Sequence, residues 1–134
     1  MTVKNKPTQD ITSVFAFEVS VADVGWPKTI NARKRSQAKA QYFRDLRDAW
    51  PDIPFTALRC RKLGRAHTSE RFKQNALYRG LPSVECGQRV KVGASHGFIV
   101  GHNASANFDV LFDDDDARYA GLTLNVHPSE LVLV

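Results

Sequence analysis

The residues between positions 13 and 23 place a large apolar side chain at every second position. The stretch reads SVFAFEVSVAD, and the alternating apolar residues are Phe15, Phe17, Val19 and Val21. A period of two over this length is typical of a half-buried β-strand. Such a strand needs a sheet to belong to and another element to cover its apolar face. The first part of the chain is therefore expected to form a sheet whose apolar face packs against another secondary-structure element.

The hydrophobic period then changes from that of a strand to that of a helix. A turn is predicted at Gly25 and Pro27, and a second, more polar strand in TINARKRS. The segment SQAKAQYFRDLRDAW predicts a helix with Ser36 as its N-cap, because a serine hydroxyl accepts hydrogen bonds from the first free backbone N–H groups. The side chains expected on its buried stripe are Phe43, Leu46 and Trp50, with Tyr42 and Ala49 widening the stripe.

Alternation resumes in PFTALRCRKLG, which predicts a third strand ending at Gly64. The order strand, strand, helix, strand indicates a small β-β-α-β unit over residues 13–64. One face of its sheet is expected to be covered by the helix, and the other is left to solvent or to a partner. Residues 1–12 are polar and lack the apolar core of a signal peptide, so they predict a flexible N-terminal tail.

Residues 65–82 predict a second helix that links two modules. Thr68 or Ser69 is a suitable N-cap, Gly80 a suitable C-terminal glycine, and Pro82 lies just beyond. Its narrow apolar stripe is expected to consist of Phe72, Ala76 and Leu77.

From Cys86 onward the chain reads as five short strands separated by turns, in QRVKV, HGFIVGHN, NFDVLFD, GLTLNV and LVLV. Short strands at this spacing favour a small barrel, since closure removes vulnerable sheet edges. The segments GQRVKVGASHGFIVGHN, FDVLFDDD and VHPSELVLV resemble the small SH3-like barrels of the KOW and Tudor type, and the likeness covers residues 84–134. The loop GASHG lacks the basic residues typical of ribosomal KOW domains.

Together these patterns predict an α+β protein. A small β-β-α-β unit with a linking helix would be followed by a five-stranded SH3-like β-barrel over residues 83–134. Residues 1–81 carry no family resemblance.

Charge is distributed unevenly along the chain. Residues 1–81 contain sixteen Lys and Arg against seven Asp and Glu, whereas residues 82–134 contain three against seven. A basic patch on the first module would attract phosphates and bind DNA or RNA without sequence preference. The residues expected to form it are Arg33, Lys34, Arg35, Arg59, Arg61, Lys62 and Arg65.

Four consecutive aspartates follow the apolar alternation of Phe108, Val110 and Phe112. They are Asp113, Asp114, Asp115 and Asp116. Aspartate favours turns because its carboxylate accepts hydrogen bonds from nearby backbone N–H groups, so a solvated turn is one interpretation. A second is an acidic surface that contacts a basic protein partner. A calcium loop is a third, although the run lacks the staggered ligands and the glycine that such a loop needs. No metal site is predicted.

The sequence contains no motif of an enzyme. G-x-S-x-G, the P-loop and the dinucleotide fingerprint are all missing, and neither His96 nor His102 has an obvious orienting carboxylate or a neighbouring nucleophile in sequence. The two cysteines, Cys60 and Cys86, lack metal-ligand spacing and are expected to be reduced thiols of a cytoplasmic protein. Neither a cofactor nor a membrane segment is predicted.

Two functions are consistent with these observations. The first is a small non-enzymatic nucleic-acid-binding accessory protein that uses the basic first module. The alternative is a protein-interaction adaptor or inhibitor, of bacterial or phage type, that contacts its partner through the acidic barrel.

Overall fold

The computed structural model describes residues 13–134, and the predicted N-terminal tail, residues 1–12, lies outside the described residues. The described chain divides into two units, Ser13–His67 and Thr68–Val134. Within this part of the chain no helix has the length and apolar character needed to cross a membrane.

The first unit is a three-stranded sheet with one helix. Its elements are β1 (Phe15–Val21), β2 (Gly25–Ala32), α1 (Arg35–Arg47), a 3₁₀ turn (Phe55–Ala57) and β3 (Leu58–Arg65). The strand order is β2-β1-β3, and β1 pairs antiparallel with both neighbours. The β2 and β3 strands therefore run in the same direction, and α1 connects them across β1. The predicted order β-β-α-β is the order found.

The core of this unit lies between β1 and α1. Phe17, Val19 and Val21 of β1 are buried, as the alternation predicts, and α1 contributes Ala38 and Tyr42. Of the residues predicted to widen the helical stripe, Tyr42 is buried and Ala49 is exposed. The Phe43 and Leu46 side chains are only half-buried, and Trp50 lies beyond the end of the helix.

The start of α1 and the start of β2 both differ from the sequence prediction. The helix begins at Arg35 with Lys34 as N-cap, and the side chain of Gln37 accepts hydrogen bonds from the N–H groups of Arg33 and Lys34 at 3.1 and 3.3 Å. Ser36, the predicted N-cap, is instead the second residue of the helix. The β2 strand includes Pro27, which was predicted to lie in a turn. A proline is tolerated there because β2 is an edge strand.

The second unit is one helix on a five-stranded antiparallel sheet. The strand order is β7-β6-β5-β4-β8. Its elements are α2 (Glu70–Tyr78), β4 (Arg89–Val92), β5 (Ser95–His102), β6 (Phe108–Phe112), β7 (Thr123–Val126), a 3₁₀ turn (Pro128–Glu130) and β8 (Val132–Leu133).

The prediction of a closed SH3-like barrel is wrong. The β7 and β8 strands lie at opposite edges of the sheet, and among the described residues no pairing joins them. β8 contributes only two residues, and these pair with Val90 and Lys91 of β4. The free edges of β7 and β8 therefore do not meet, and the sheet stays open. The protein is a mixed α+β fold with two open sheets.

The α2 helix belongs to the second unit. Phe72 and Ala76 are buried in one cluster with Phe108, Val110 and Phe112 of β6. Of the two predicted N-caps, Ser69 is the one used, since its hydroxyl accepts from Phe72 N–H at 3.0 Å. The predicted C-terminal glycine, Gly80, follows the helix with a φ of 75°. Leu77, predicted to be buried, is 67% exposed because it points away from the face that carries Phe72 and Ala76.

Candidate nucleic-acid interface

One face of the first sheet is left uncovered by α1. Residues directly opposite each other in an antiparallel pair point to the same face. Val19 lies opposite Lys28 and Cys60 on the helix side, so the intervening positions point away from the helix. We call this surface the open face, and its exposed or half-exposed residues include Ala16, Glu18, Ser20, Thr29, Asn31, Arg59 and Arg61.

Two of the predicted basic residues lie together on the open face. Arg59 is opposite Ser20, and Arg61 is opposite Glu18. The Arg61 guanidinium donates to the Glu18 carboxylate at 3.0 Å, with the two side chains 70% and 37% exposed. An ion pair this exposed contributes no more than about 1 kcal/mol, so a phosphate can replace the carboxylate as the partner of Arg61.

The remaining predicted basic residues are not on the open face. Arg35 lies beside Cys60 on the helix side of the sheet. Lys62, opposite Phe17, places its ammonium 3.8 Å from the centre of the Phe15 ring. Arg65 donates to the Ser13 hydroxyl at 2.7 Å, and the exposed Arg33 and Lys34 form the connection before α1. The structure therefore distributes the predicted set over both sides and one end of the sheet.

Cys60 shows how the helix side differs chemically from the open face. Burial raises the pKa of the Cys60 thiol, and the nearby cations Arg35 and Lys39 act in the opposite direction. Burial also raises the pKa of Cys86 to about 11. Both thiols are thus protonated at neutral pH and are poor nucleophiles.

The four aspartates occupy one structured turn of the second unit, and they are not equivalent. Asp113 makes two hydrogen bonds to the Arg89 guanidinium, at 2.5 and 2.6 Å. Asp116 accepts from the N–H groups of Tyr119 and Arg118 at 2.7 and 3.1 Å, and these bonds hold its pKa below the ordinary value. Asp115 is exposed, as is Asp114. The carboxylates of Asp113 and Asp116 are therefore used inside the fold.

A cleft of about 600 Å³ lies beside this turn. Its walls combine the carboxylates of Asp116 and Glu130 with the side chains of Arg118 and Tyr119. The Tyr119 ring packs on Phe112 with centroids 4.8 Å apart. The cleft is mixed in charge and does not present a basic surface to phosphates.

The metal-ligating residue types and the histidines of the described chain form no metal cluster, and two of the histidines have side-chain partners. No group of three His, Cys, Asp or Glu side chains in residues 13–134 is placed to bind a metal ion. His102 accepts a hydrogen bond at Nδ1 from the Asn75 amide at 2.7 Å, and His127 contacts Ser129 at 2.8 Å. Both histidines thus have structural partners.

A second feature of the first unit was missed from the sequence. Both tryptophans of the chain line one cleft, with ring centroids 5.0 Å apart and planes tilted by 39°. Trp26 is 43% exposed and Trp50 is 52% exposed. The signal available in the sequence was that each tryptophan precedes a proline, Pro27 or Pro51, which favours an edge or a loop over a core position.

No family model, curated protein sequence or solved structure matches the chain. Function must accordingly be inferred from the chemistry of these surfaces.

Proposed function

We propose that the protein is a small non-enzymatic nucleic-acid-binding accessory protein. Its first unit binds the phosphate backbone of DNA or RNA through the open face. The observation that carries the proposal is the placement of Arg59 and Arg61 side by side on an uncovered sheet surface. Arginine suits this task because its planar guanidinium stays charged and matches the geometry of a phosphate.

The charge of the surrounding unit supports the same ligand. Residues 13–67 contain eleven Lys and Arg against five Asp and Glu, whereas residues 68–134 contain six against eight. A positive unit draws a polyanion toward it at long range, and the arginines of the open face then supply direct contacts. Contacts to phosphate position the ligand without reading its sequence, so little sequence preference is expected. We take the protein to be cytoplasmic as part of this proposal, because both cysteines are free thiols.

The test is the salt dependence of binding, measured by fluorescence anisotropy of a labelled oligonucleotide. Each neutralised phosphate of duplex DNA adds about −0.9 to the slope of log K against log salt. Replacing Arg59 and Arg61 together with alanine should flatten the slope by about two units if both contact phosphates.

The matched control replaces Arg71 and Lys73 with alanine. Both side chains are exposed on α2 of the second unit, and their loss changes the net charge by the same amount. This control should leave the slope nearly unchanged. Glu18→Gln should strengthen binding, since it removes the carboxylate that competes for Arg61. Equal effects of the two double variants would contradict the open face, and no binding at low salt would end the nucleic-acid proposal.

The cleft beside the acidic turn favours a second candidate function, an adaptor that binds a basic protein partner. Asp115 and Glu130 give its surroundings exposed carboxylates. A pull-down with the full chain tests it. If this adaptor function is correct, the wild-type protein should retain a basic protein partner in the pull-down. The double variant Asp115→Asn, Glu130→Gln should not retain it.

A further inference from the structure

We infer that the cleft of Trp26 and Trp50 is a stacking site for an unpaired nucleobase, which makes the ligand of the first unit single-stranded. The inference rests on the proposed function and names its substrate class. It concerns the helix side of the unit, whereas the phosphate contacts proposed above concern the open face.

The two indole rings form one exposed aromatic surface. They contact each other, and about half of each side chain remains open to a ligand. The cleft beside them has a volume of about 370 Å³. Aromatic side chains are the usual platforms for single-stranded nucleic acid, because every base has a π-face that can stack on them.

The surface is held in place by the backbone. Trp26 has a φ of 52°, in the left-handed region that a bulky side chain rarely adopts. The buried Tyr42 donates its hydroxyl to the Trp26 carbonyl at 2.7 Å. Burial raises the pKa of Tyr42, so the hydroxyl remains a donor. Strain kept in place by a specific contact is found most often at binding sites, where it prepares the geometry for a ligand.

Polar groups at the rim suit the edge of a base. The Lys28 ammonium lies 3.5 Å from the Asp45 carboxylate, and the two side chains are 59% and 43% exposed. Both residues line the cleft. An ammonium donates to a ring carbonyl, and a carboxylate accepts from an exocyclic amino group, so the pair can serve different bases.

The strand register places this cleft near one arginine of the open face. Val21 of β1 lies opposite Gly25 on β2 and opposite Leu58 on β3. Trp26 and Arg59 are the next residues, so they lie at the same end of the sheet. Trp26 lies on β2 and Arg59 on β3, and β1 lies between these two strands, so two strand spacings, about 10 Å, separate their backbones. A single strand whose phosphate contacts Arg59 can therefore turn over this end of the sheet and place a base on the indoles.

Proline-rich peptides also bind aromatic grooves, and they are the main competing ligand. The positive charge of the unit favours a polyanion over a neutral peptide.

The chain offers a direct reporter, because its only two tryptophans are the proposed site. Intrinsic fluorescence of the full chain should be quenched by an oligothymidine of about twelve nucleotides, a length within the usual range for one single-strand site. Inorganic polyphosphate, which has charge but no bases, should leave the fluorescence unchanged. A blunt duplex should quench it far less than the single strand, since its bases are already stacked.

Trp50→Ala should weaken oligothymidine binding by about 5- to 150-fold in an anisotropy assay, the loss associated with one stacked base. Trp50→Phe should recover most of the affinity, and Tyr78→Ala, which removes a 79% exposed aromatic ring from α2, should have no effect. Thermal melts confirm that each variant is folded.

Two outcomes would overturn the stacking site while the proposed function stood. One is binding of oligothymidine without quenching of the tryptophan fluorescence. The other is that wild type and Trp50→Ala bind with the same affinity, and that each binds single strand and duplex equally well. Absence of any binding would overturn both. Quenching by a polyproline peptide but not by oligothymidine would assign the cleft to a peptide instead.

Discussion

Replacing Asp113 with asparagine should destabilise the protein far more than the same change at Asp115. The two residues lie in the same acidic turn, and each substitution removes one negative charge. Asp113 makes a two-pronged contact with Arg89, in which each carboxylate oxygen accepts from one guanidinium nitrogen. Asp115 is exposed.

The magnitude follows from how far this pair is removed from water. Both side chains are 23% exposed, which lies between a surface pair and a buried one. Exposed pairs contribute about 0.2–1 kcal/mol, whereas breaking a buried pair costs about 3–5 kcal/mol. The asparagine keeps one acceptor but turns an amide N–H₂ toward the guanidinium. We therefore expect Asp113→Asn to lower the free energy of unfolding by about 2 kcal/mol, and Asp115→Asn by less than about 0.5 kcal/mol.

Urea denaturation followed by circular dichroism measures both values. Arg89 also lies 5.4 Å from the centre of the Phe98 ring, so its single variant reports more than the ion pair. A double-mutant cycle of Asp113→Asn and Arg89→Met isolates the coupling, which should be about 1–2 kcal/mol. A coupling near zero, or equal effects at Asp113 and Asp115, would refute the reasoning.

Two further predictions concern the second unit. Gly97→Ala should destabilise it by about 1–3 kcal/mol in the same urea assay, because the added Cβ would lie 2.5 Å from the Leu111 carbonyl oxygen and force two strands apart. In the control, Gly101→Ala, the added Cβ meets only the movable Asp109 side chain, so the loss of stability should be smaller. Equal losses in the two variants would contradict this prediction. The stabilisation given by Asp116, whose folded pKa is lowered chiefly by the Tyr119 N–H, should be complete above the unfolded pKa of about 3.9 and be lost as pH falls through the lower folded pKa. The difference in melting temperature between wild type and Asp116→Asn should therefore shrink in acid, and a difference that grew would contradict the assignment.

The hydrophobic periodicity of the sequence was sufficient to predict local structure, but it was insufficient to predict whether the second sheet closes into a barrel. Phe17, Val19 and Val21 are buried as their alternation predicts, because a strand has only two faces. Whether β7 and β8 meet depends on strand lengths and twist, and no local pattern encodes these. A helical stripe is also less certain than a strand face, since neighbouring positions differ by only a fraction of a turn. Of the predicted stripe of α1, Tyr42 is buried whereas Phe43 is only half-buried.

The candidate site shows a similar division. Alternation correctly put Arg59 and Arg61 on one face, and the register shows it to be the face away from the helix. Arg35 was expected to join them, but Gln37 caps the helix so that Arg35 is its first residue and lies beside Cys60. The Trp26–Trp50 pair joins residues far apart in sequence, and only the fold brings them together.

Formal charge conceals a difference between the cations of the two units. In the second unit Arg89 is bound to Asp113, and the Arg79 guanidinium donates to the carbonyls of Ser105 and Ala106. Binding a phosphate with either arginine would first break a contact that stabilises the fold. The open-face arginines face no comparable cost, since Arg61 has only the exposed Glu18 to release. For Arg79 and Arg89, formal charge therefore overstates how readily a phosphate could be bound, whereas the exposed ion pair of Arg61 imposes little such cost.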